Sequence, residues 1–245
     1  MLEAAKHRNF DKLFHRYNSL YLIRRHFRYF GAAGELKPQS TENRPLLYIM
    51  NHSSWWDGLL AYHAARTLTD SEHFFMMEEE QLLKYKFFRK IGAYSINRER
   101  TGDISASLRY TARVLRQCGS VWMYPEGEIQ PLEHRPLILK PGAALVLRLC
   151  PEAAIVPVTL YHGLFRHSKP EATLVAGEPL LHRWKGMDRD SIGRELQSVL
   201  EEQLNTHRKL MVNNGGYMPE QFRPLIKPGR STNEWFDALL GRGRK

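Results

Sequence analysis

Short runs of apolar, β-branched and aromatic residues recur at 46–51, 73–77, 93–97, 120–124, 155–161 and 172–176. Helical patterns fall between and after them, near 57–68, 79–90, 103–117 and 142–150, with a longer one near 188–210. This alternation constrains the fold more than any other property of the chain. Strand–helix–strand units close by right-handed crossovers, which align the strands in parallel and lay the helices on the faces of the sheet. The expectation is an α/β fold with a mostly parallel central sheet flanked by helices. A chain of 245 residues has room for one such domain and small appendages. With 42% hydrophobic residues, including 11 Phe, 11 Tyr and 5 Trp, it can fill a core, which excludes wholesale disorder.

The formal charge of +10 is carried mainly by the two ends: residues 1–30 hold +5, residues 220–245 hold +3, and the body is nearly neutral. The pattern divides the chain into a basic amphipathic helical segment (1–34), an α/β domain (35–218) and a basic tail (219–245). In the first segment Phe10, Leu13, Phe14, Tyr17, Leu20 and Tyr21 recur at helical spacing, and Gly31 and Gly34 close it. Two readings stand for that stripe. It packs on the main domain, or it lies in an anionic membrane interface with Phe10, Phe14, Arg16, Arg24 and Arg25 in contact. No run of 18 apolar residues predicts a spanning helix, and the first 30 residues lack the form of a secretory signal. Two cysteines, Cys118 and Cys150, fit a reducing compartment and cannot make a four-thiolate zinc site. These features leave a soluble or surface-bound intracellular protein whose excess charge calls for an anionic partner: the cytoplasmic face of a membrane, met peripherally, nucleic acid or a phosphorylated small molecule.

The run at 46–51 leads directly into His52-Ser53-Ser54-Trp55-Trp56-Asp57-Gly58 and then a helical pattern. Ligands of open α/β sheets bind beyond the carboxyl ends of the strands, where this segment falls. With His52 on the loop, Asp57 at the helix start can turn back to one ring nitrogen, fix the tautomer and leave the other nitrogen to take a proton from a hydroxyl. The same spacing also fits a capping box, Ser54-x-x-Asp57, in which His52 has no role. A second strand end, Tyr124-Pro125-Glu126-Gly127, places a carboxylate and a flexible glycine at its mouth; Glu126 suits substrate hydroxyls there. A third offers Arg98, suited to bidentate phosphate contact, with Arg100 nearby.

In this order the segments resemble the glycerolipid acyltransferase superfamily, which includes glycerol-3-phosphate and lysophosphatidic acid acyltransferases. Asn51–Asp57 matches its His-x4-Asp motif, Ile96-Asn97-Arg98 its second, Tyr124–Gly127 half of its third (Phe-Pro-Glu-Gly-Thr-Arg-Ser), and Ile155-Val156-Pro157-Val158 its fourth, over roughly 45–160. The resemblance implies phospholipid-type acyl transfer from acyl-CoA or acyl-carrier protein to a lipid hydroxyl, with His52 as base, Asp57 as its orienter and backbone amides near the helix start as oxyanion donors. It implies acceptor binding by Arg98, Glu126 and Gly127, with Arg100 as a further phosphate contact, and no metal or bound cofactor. After Gly127, however, Glu128-Ile129-Gln130 replaces Thr-Arg-Ser. The motif's basic side chain is lost to apolar Ile129, and Glu128 adds an acid that repels phosphate at short range. This favours a neutral acceptor as the alternative: a glycolipid, a glycosylated pigment or another lipid alcohol.

Other classes fit less well. Basic ends with interleaved aromatics suit nucleic acid, but the body is neutral and carries no RNP stretch or Cys/His finger. The 11 histidines form no metal-ligand spacing, and no Gly-x-Ser-x-Gly elbow marks a serine hydrolase.

Overall fold

The computed structural model describes every residue except 118, 230, 231, 233–235, 237, 238 and 241–245. In chain order its strands are β1 (Tyr29–Ala33), β2 (Leu46–Met50), β3 (His73–Glu78), β4 (Ala93–Ile96), β5 (Ser120–Met123), β6 (Ala154–Gly163), β7 (Glu171–Ala176) and β8 (Arg223–Pro224). The helices are α1 (Arg8–Tyr17), α2 (Arg24–His26), α3 (Asp57–Leu68), α4 (Glu79–Lys84), α5 (Thr101–Arg116), α6 (Gly142–Leu149) and α7 (Arg189–Asn213). A π-helical turn, Asn18–Ile23, joins α1 to α2.

The strands form one sheet in the order β4-β3-β5-β2-β6-β7-β1-β8. β2 lies between β5 and β6 and is parallel to both, with Leu46 opposite Ser120 and Ala154. β3 is parallel to β4 and β5, and β1 to β7, so only the β6–β7 and β1–β8 pairs are antiparallel. The α/β fold with a mostly parallel sheet is thus the one the alternation predicts. Leu-Leu-Tyr-Ile-Met of β2 is buried at every position, as a strand covered on both faces requires. Alternation distributes its side chains: Tyr48 and Met50 join the core under α3, with Trp122 stacked on Tyr48 at 4.4 Å, while Leu47 and Ile49 face the core that includes α5, α6 and α7.

Several boundaries differ from the sequence reading. The pattern at 79–90 splits into α4 and a 3-10 turn, Lys86–Ile91, ended by Gly92 at φ 105°. A Cβ at Gly92 would meet the His73 carbonyl oxygen at 2.5 Å, so the sharp entry into β4 needs glycine. The N-terminal helical stretch ends at His26, and residues 29–33, within the segment read as helical, form β1 instead. The segment after 218 is built into the domain: Phe222 and Ile226 are buried, and β8 pairs with β1. The boundaries at 34/35 and 218/219 therefore do not separate structural units, because both flanking segments contribute strands to one sheet edge. Cys150 is buried; Cys118 and the tail bases Arg230, Arg242, Arg244 and Lys245 lie outside the described residues. Among the described residues no helix is long and apolar enough to cross a membrane.

Candidate active site

The site is built on the ends of β2, β5 and β6. Beyond β2, the Asn51 amide donates to the Leu160 carbonyl at 3.0 Å and its oxygen accepts from the Leu160 N–H at 2.8 Å, fixing the loop to β6. His52 follows. Asp57, the first residue of α3, has no exposed surface, and one of its oxygens, Oδ2, faces three groups. It accepts from the N–H of Ser53 at 2.6 Å and of Ser54 at 2.9 Å, and lies 3.0 Å from His52 Nδ1. One carboxylate thus makes the contact each reading calls for: it accepts from the Ser54 amide and faces the imidazole. With Nδ1 turned to a carboxylate, the neutral ring carries its proton there and presents the lone pair of Nε2.

The β5 turn holds His52 by its backbone. Glu126 Oε2 accepts from the His52 N–H at 2.6 Å, and the Gln130 N–H donates to the His52 carbonyl at 2.8 Å. Tyr124 packs its ring on the imidazole at 4.6 Å between centroids. Glu126 is only 4% exposed. Burial raises its pKa, against the lowering by the His52 amide it binds. The carboxylate expected to meet substrate hydroxyls thus has one oxygen committed to the peptide of the candidate base.

Arg98 reaches the same turn. Its Nη1 donates to the Gly127 carbonyl, and its Nη2 pairs with Glu78 Oε1 at 2.6 Å. Gly127 has φ 78°, and a Cβ there would lie 3.1 Å from Lys140 Cγ and 3.4 Å from Arg98 Nη1, so glycine admits both side chains. His52, Asp57, Glu126, Gly127 and Arg98 are brought together; Arg100 is exposed at the start of α5, outside these contacts.

The helix-start amides require a correction. Those of Ser53 and Ser54 bind Asp57, that of Trp56 binds Ser54 Oγ at 3.1 Å, and that of Asp57 binds the Ser54 carbonyl at 3.2 Å. Four amides expected to face an oxyanion are engaged inside the loop.

The N-terminal segment is corrected as well. Phe14 is buried among Tyr62, Phe87 and Phe88, with ring centroids 5.5, 5.7 and 5.9 Å away, and half-buried Phe10 stacks on it. Phe14 cannot reach a membrane from there, because its ring fills the space between α1 and α3. The outward apolar side chains are Leu13, Tyr17, Leu20 and Tyr21. Arg16 and Arg25 are exposed, Arg25 donates to Tyr21 Oη at 2.7 Å, and Arg24 is half-buried. The segment abuts the site: Phe27 and His26 meet the Trp56 ring at 5.3 and 4.8 Å, and Trp55 beside it is exposed.

Sequence reasoning did not identify the amide clamp from Glu126 and Gln130, Lys140 beside Gly127, or His162 at the end of β6, whose Nε2 lies 3.4 Å from Ser53 Oγ. Each depends on tertiary pairing and leaves no local signal.

Residues 34–161, just over half of the chain, match the family model described as Acyltransferase. Among solved structures the chain is similar to that of the 1-acyl-sn-glycerophosphate (LPA) acyltransferase PlsC from Thermotoga maritima. The two are 16% identical with a TM-score of 0.56, over 82% of this chain and 79% of that one, a likeness of fold. No curated protein matches the chain.

Proposed function

This chain belongs to the acyltransferase family, and on that premise we propose that it moves a fatty acyl group from an acyl thioester, acyl-CoA or acyl-carrier protein, to a hydroxyl of a lysophospholipid- or glycerol phosphate-type lipid. The observation that carries this reading is the 3.0 Å approach of His52 Nδ1 to the wholly buried carboxylate of Asp57. His52 Nε2 takes the acceptor's hydroxyl proton as its oxygen attacks the thioester carbonyl carbon. Asp57 stabilises the resulting imidazolium. Collapse of the tetrahedral intermediate breaks the C–S bond, and the proton passes from His52 to the leaving thiolate. This sequence of steps requires no resident metal or cofactor. Arg98 and Gly127 receive the acceptor headgroup on the β5 side.

A second reading, a neutral acceptor such as a glycolipid, a glycosylated pigment or another lipid alcohol, is favoured by one contact. Glu78 already neutralises Arg98, and Glu128 adds a further negative charge to the same turn. Palmitoyl-CoA offered with lysophosphatidate, monoacylglycerol or an alkyl glucoside decides between the two. Turnover confined to lysophosphatidate rejects the neutral reading, and turnover confined to the others rejects the phosphate one. On the productive acceptor, His52→Ala is expected to lose at least about 1,000-fold in kcat with its melting temperature kept. A variant within a few fold of wild type would remove His52 from the reaction.

The substrates of such a reaction lie in a bilayer, and the N-terminal segment is suited to meet it peripherally. Leu13, Tyr17, Leu20 and Tyr21 face outward beside the bases Arg16 and Arg25, a composition that favours an anionic interface. The cytoplasmic leaflet is the anionic surface this charge would find.

A further inference from the structure

A tetrahedral intermediate places negative charge on the former thioester oxygen, and a hydrogen-bond donor fixed toward that oxygen is worth about 100- to 1,000-fold in rate. The amides of Ser53, Ser54, Trp56 and Asp57 are occupied within their own loop, so none of these four is free to be that donor. On the β5 side of His52, Arg98 is held by Glu78 and by the Gly127 carbonyl. On the β6 side stand Ser53 Oγ and His162 Nε2, 3.4 Å apart, both half-buried and with no other side-chain partner among the described residues.

Three features fix this pair beside the His52 loop. Ser53 is adjacent in sequence to His52, and its N–H is held by Asp57 Oδ2 at 2.6 Å. Asn51 ties the loop to the Leu160 backbone, two residues before His162 on the same face of β6. β6 is the neighbour of β2 opposite β5, so His52 stands between the headgroup side and the Ser53–His162 side.

We infer that Ser53 is the oxyanion-stabilising catalytic residue and that His162 is its positioning residue, a reading that rests on the acyl transfer proposed above. His162 Nε2–H donates to Ser53 Oγ, which turns the serine hydroxyl proton toward the thioester carbonyl oxygen. When the acceptor oxygen bonds to the carbonyl carbon, the acceptor's proton goes to His52 and the C=O electron pair moves onto the oxygen that Ser53 binds. When the C–S bond breaks, that pair re-forms the carbonyl and the proton leaves His52 for the thiolate. Ser53 donates a hydrogen bond throughout and forms no covalent bond.

The test is steady-state kinetics with palmitoyl-CoA and whichever of lysophosphatidate, monoacylglycerol or alkyl glucoside the wild type accepts, on Ser53→Ala, Ser53→Thr, His162→Leu, His162→Gln and the double variant Ser53→Ala/His162→Leu. Ser53→Ala should lower kcat by about 100-fold with both KM values within about threefold, because the bond forms only in the transition state. Ser53→Thr keeps the hydroxyl and should retain most of the activity. His162→Leu should lower kcat by about tenfold and His162→Gln, which restores an N–H donor, should recover it. The double variant should be no slower than Ser53→Ala, since His162 acts through Ser53. If Ser53→Ala fails to fold, Ser53→Cys, a weak donor of similar shape, should show the same loss in kcat. A kcat within threefold of wild type for Ser53→Ala or Ser53→Cys, a loss confined to acceptor KM, or additive losses in the double variant overturns the assignment while leaving acyl transfer intact. A wild type without turnover, or a His52→Ala variant that keeps it, overturns the acyl-transfer reading and this assignment with it.

Discussion

Glu126 gives one carboxylate oxygen to the amide of His52 across 74 residues of sequence, at 2.6 Å. That contact makes a different prediction from contact with substrate. Glu126→Ala leaves a buried N–H without its acceptor, a cost of about 1–3 kcal/mol, and frees the loop that carries the candidate base. Displacing a reacting group by about 1 Å can cost on the order of 100-fold in rate. Glu126→Ala should therefore lower kcat by about that factor, with acceptor KM within about threefold and a lower melting temperature. Glu126→Gln, which keeps an acceptor oxygen, should recover most of kcat. A variant in which acceptor KM rises alone would return Glu126 to the substrate. The position of this acid at a strand mouth was legible in the sequence, because strand, proline and glycine mark it locally. Its partner was not, since only the parallel pairing of β2 with β5 brings residue 126 to residue 52. His52 and Asp57 were legible for the opposite reason: five residues of one loop and helix start set their geometry.

The elements separate along the same line. The runs that became β2 to β7 are apolar at nearly every position, and burial between helices requires such composition. β1 contains Gly31, Ala32 and Ala33, weak strand formers that follow a helix without a turn signal, and β8 is two residues long with a proline. Both exist through the pairing they make at the sheet edge, and neither has a pattern of its own. The N-terminal segment shows the converse, a clear helical period that leaves its facing open between packing and a membrane interface. The stripe from Phe10 to Tyr21 is shared between two surfaces. α1 turns Phe14 inward, and the wider π turn buries Asn18, whose amide donates to the Leu59 carbonyl at 3.0 Å. Leu20 and Tyr21 remain 51% and 47% exposed. The two surfaces should respond differently to mutation. Leu20→Glu with Tyr21→Glu should reduce co-sedimentation with phosphatidylglycerol vesicles at least about tenfold and leave the melting temperature nearly unchanged. Phe14→Ala should instead cost about 3–5 kcal/mol of stability. Unchanged vesicle binding by the double glutamate variant would assign the segment to packing alone.

Across the whole molecule, buried imidazoles outside the contacts of His52 govern the response to acid. His73 accepts from Trp122 Nε1 at 3.0 Å through Nδ1, leaving Nε2 to donate to Thr69 Oγ1 at 2.6 Å, so it is held in one neutral tautomer. His207 bridges Thr159 and Thr173 between α7 and the β6–β7 pair, at 3.0 and 2.9 Å. Both are almost fully buried, and desolvation of the charged ring pushes each pKa down to about 3. An unfolded chain has the ordinary histidine value, about 6.5. Above that pH neither state binds the proton, and these residues carry no pH-dependent penalty. As pH falls below about 6.5 the unfolded state gains protons that the folded state refuses, so stability is lost down to the folded values near 3. Each residue then contributes roughly 2 kcal/mol of lost stability by pH 5. Calorimetric melting temperatures should be flat from pH 8 to 7 and fall steadily from 6.5 to 5. His207→Gln, neutral throughout, should show a shallower fall over that interval even if it melts lower at pH 8. An equal fall in the variant would place the acid sensitivity in other groups. Because His73 opens β3, at the end of the parallel strands opposite the site, and His207 lies on α7 against the β6–β7 pair, this acid lability is separable from the reaction. The pH profile of turnover should remain unmoved by His207→Gln at pH values where both proteins are folded.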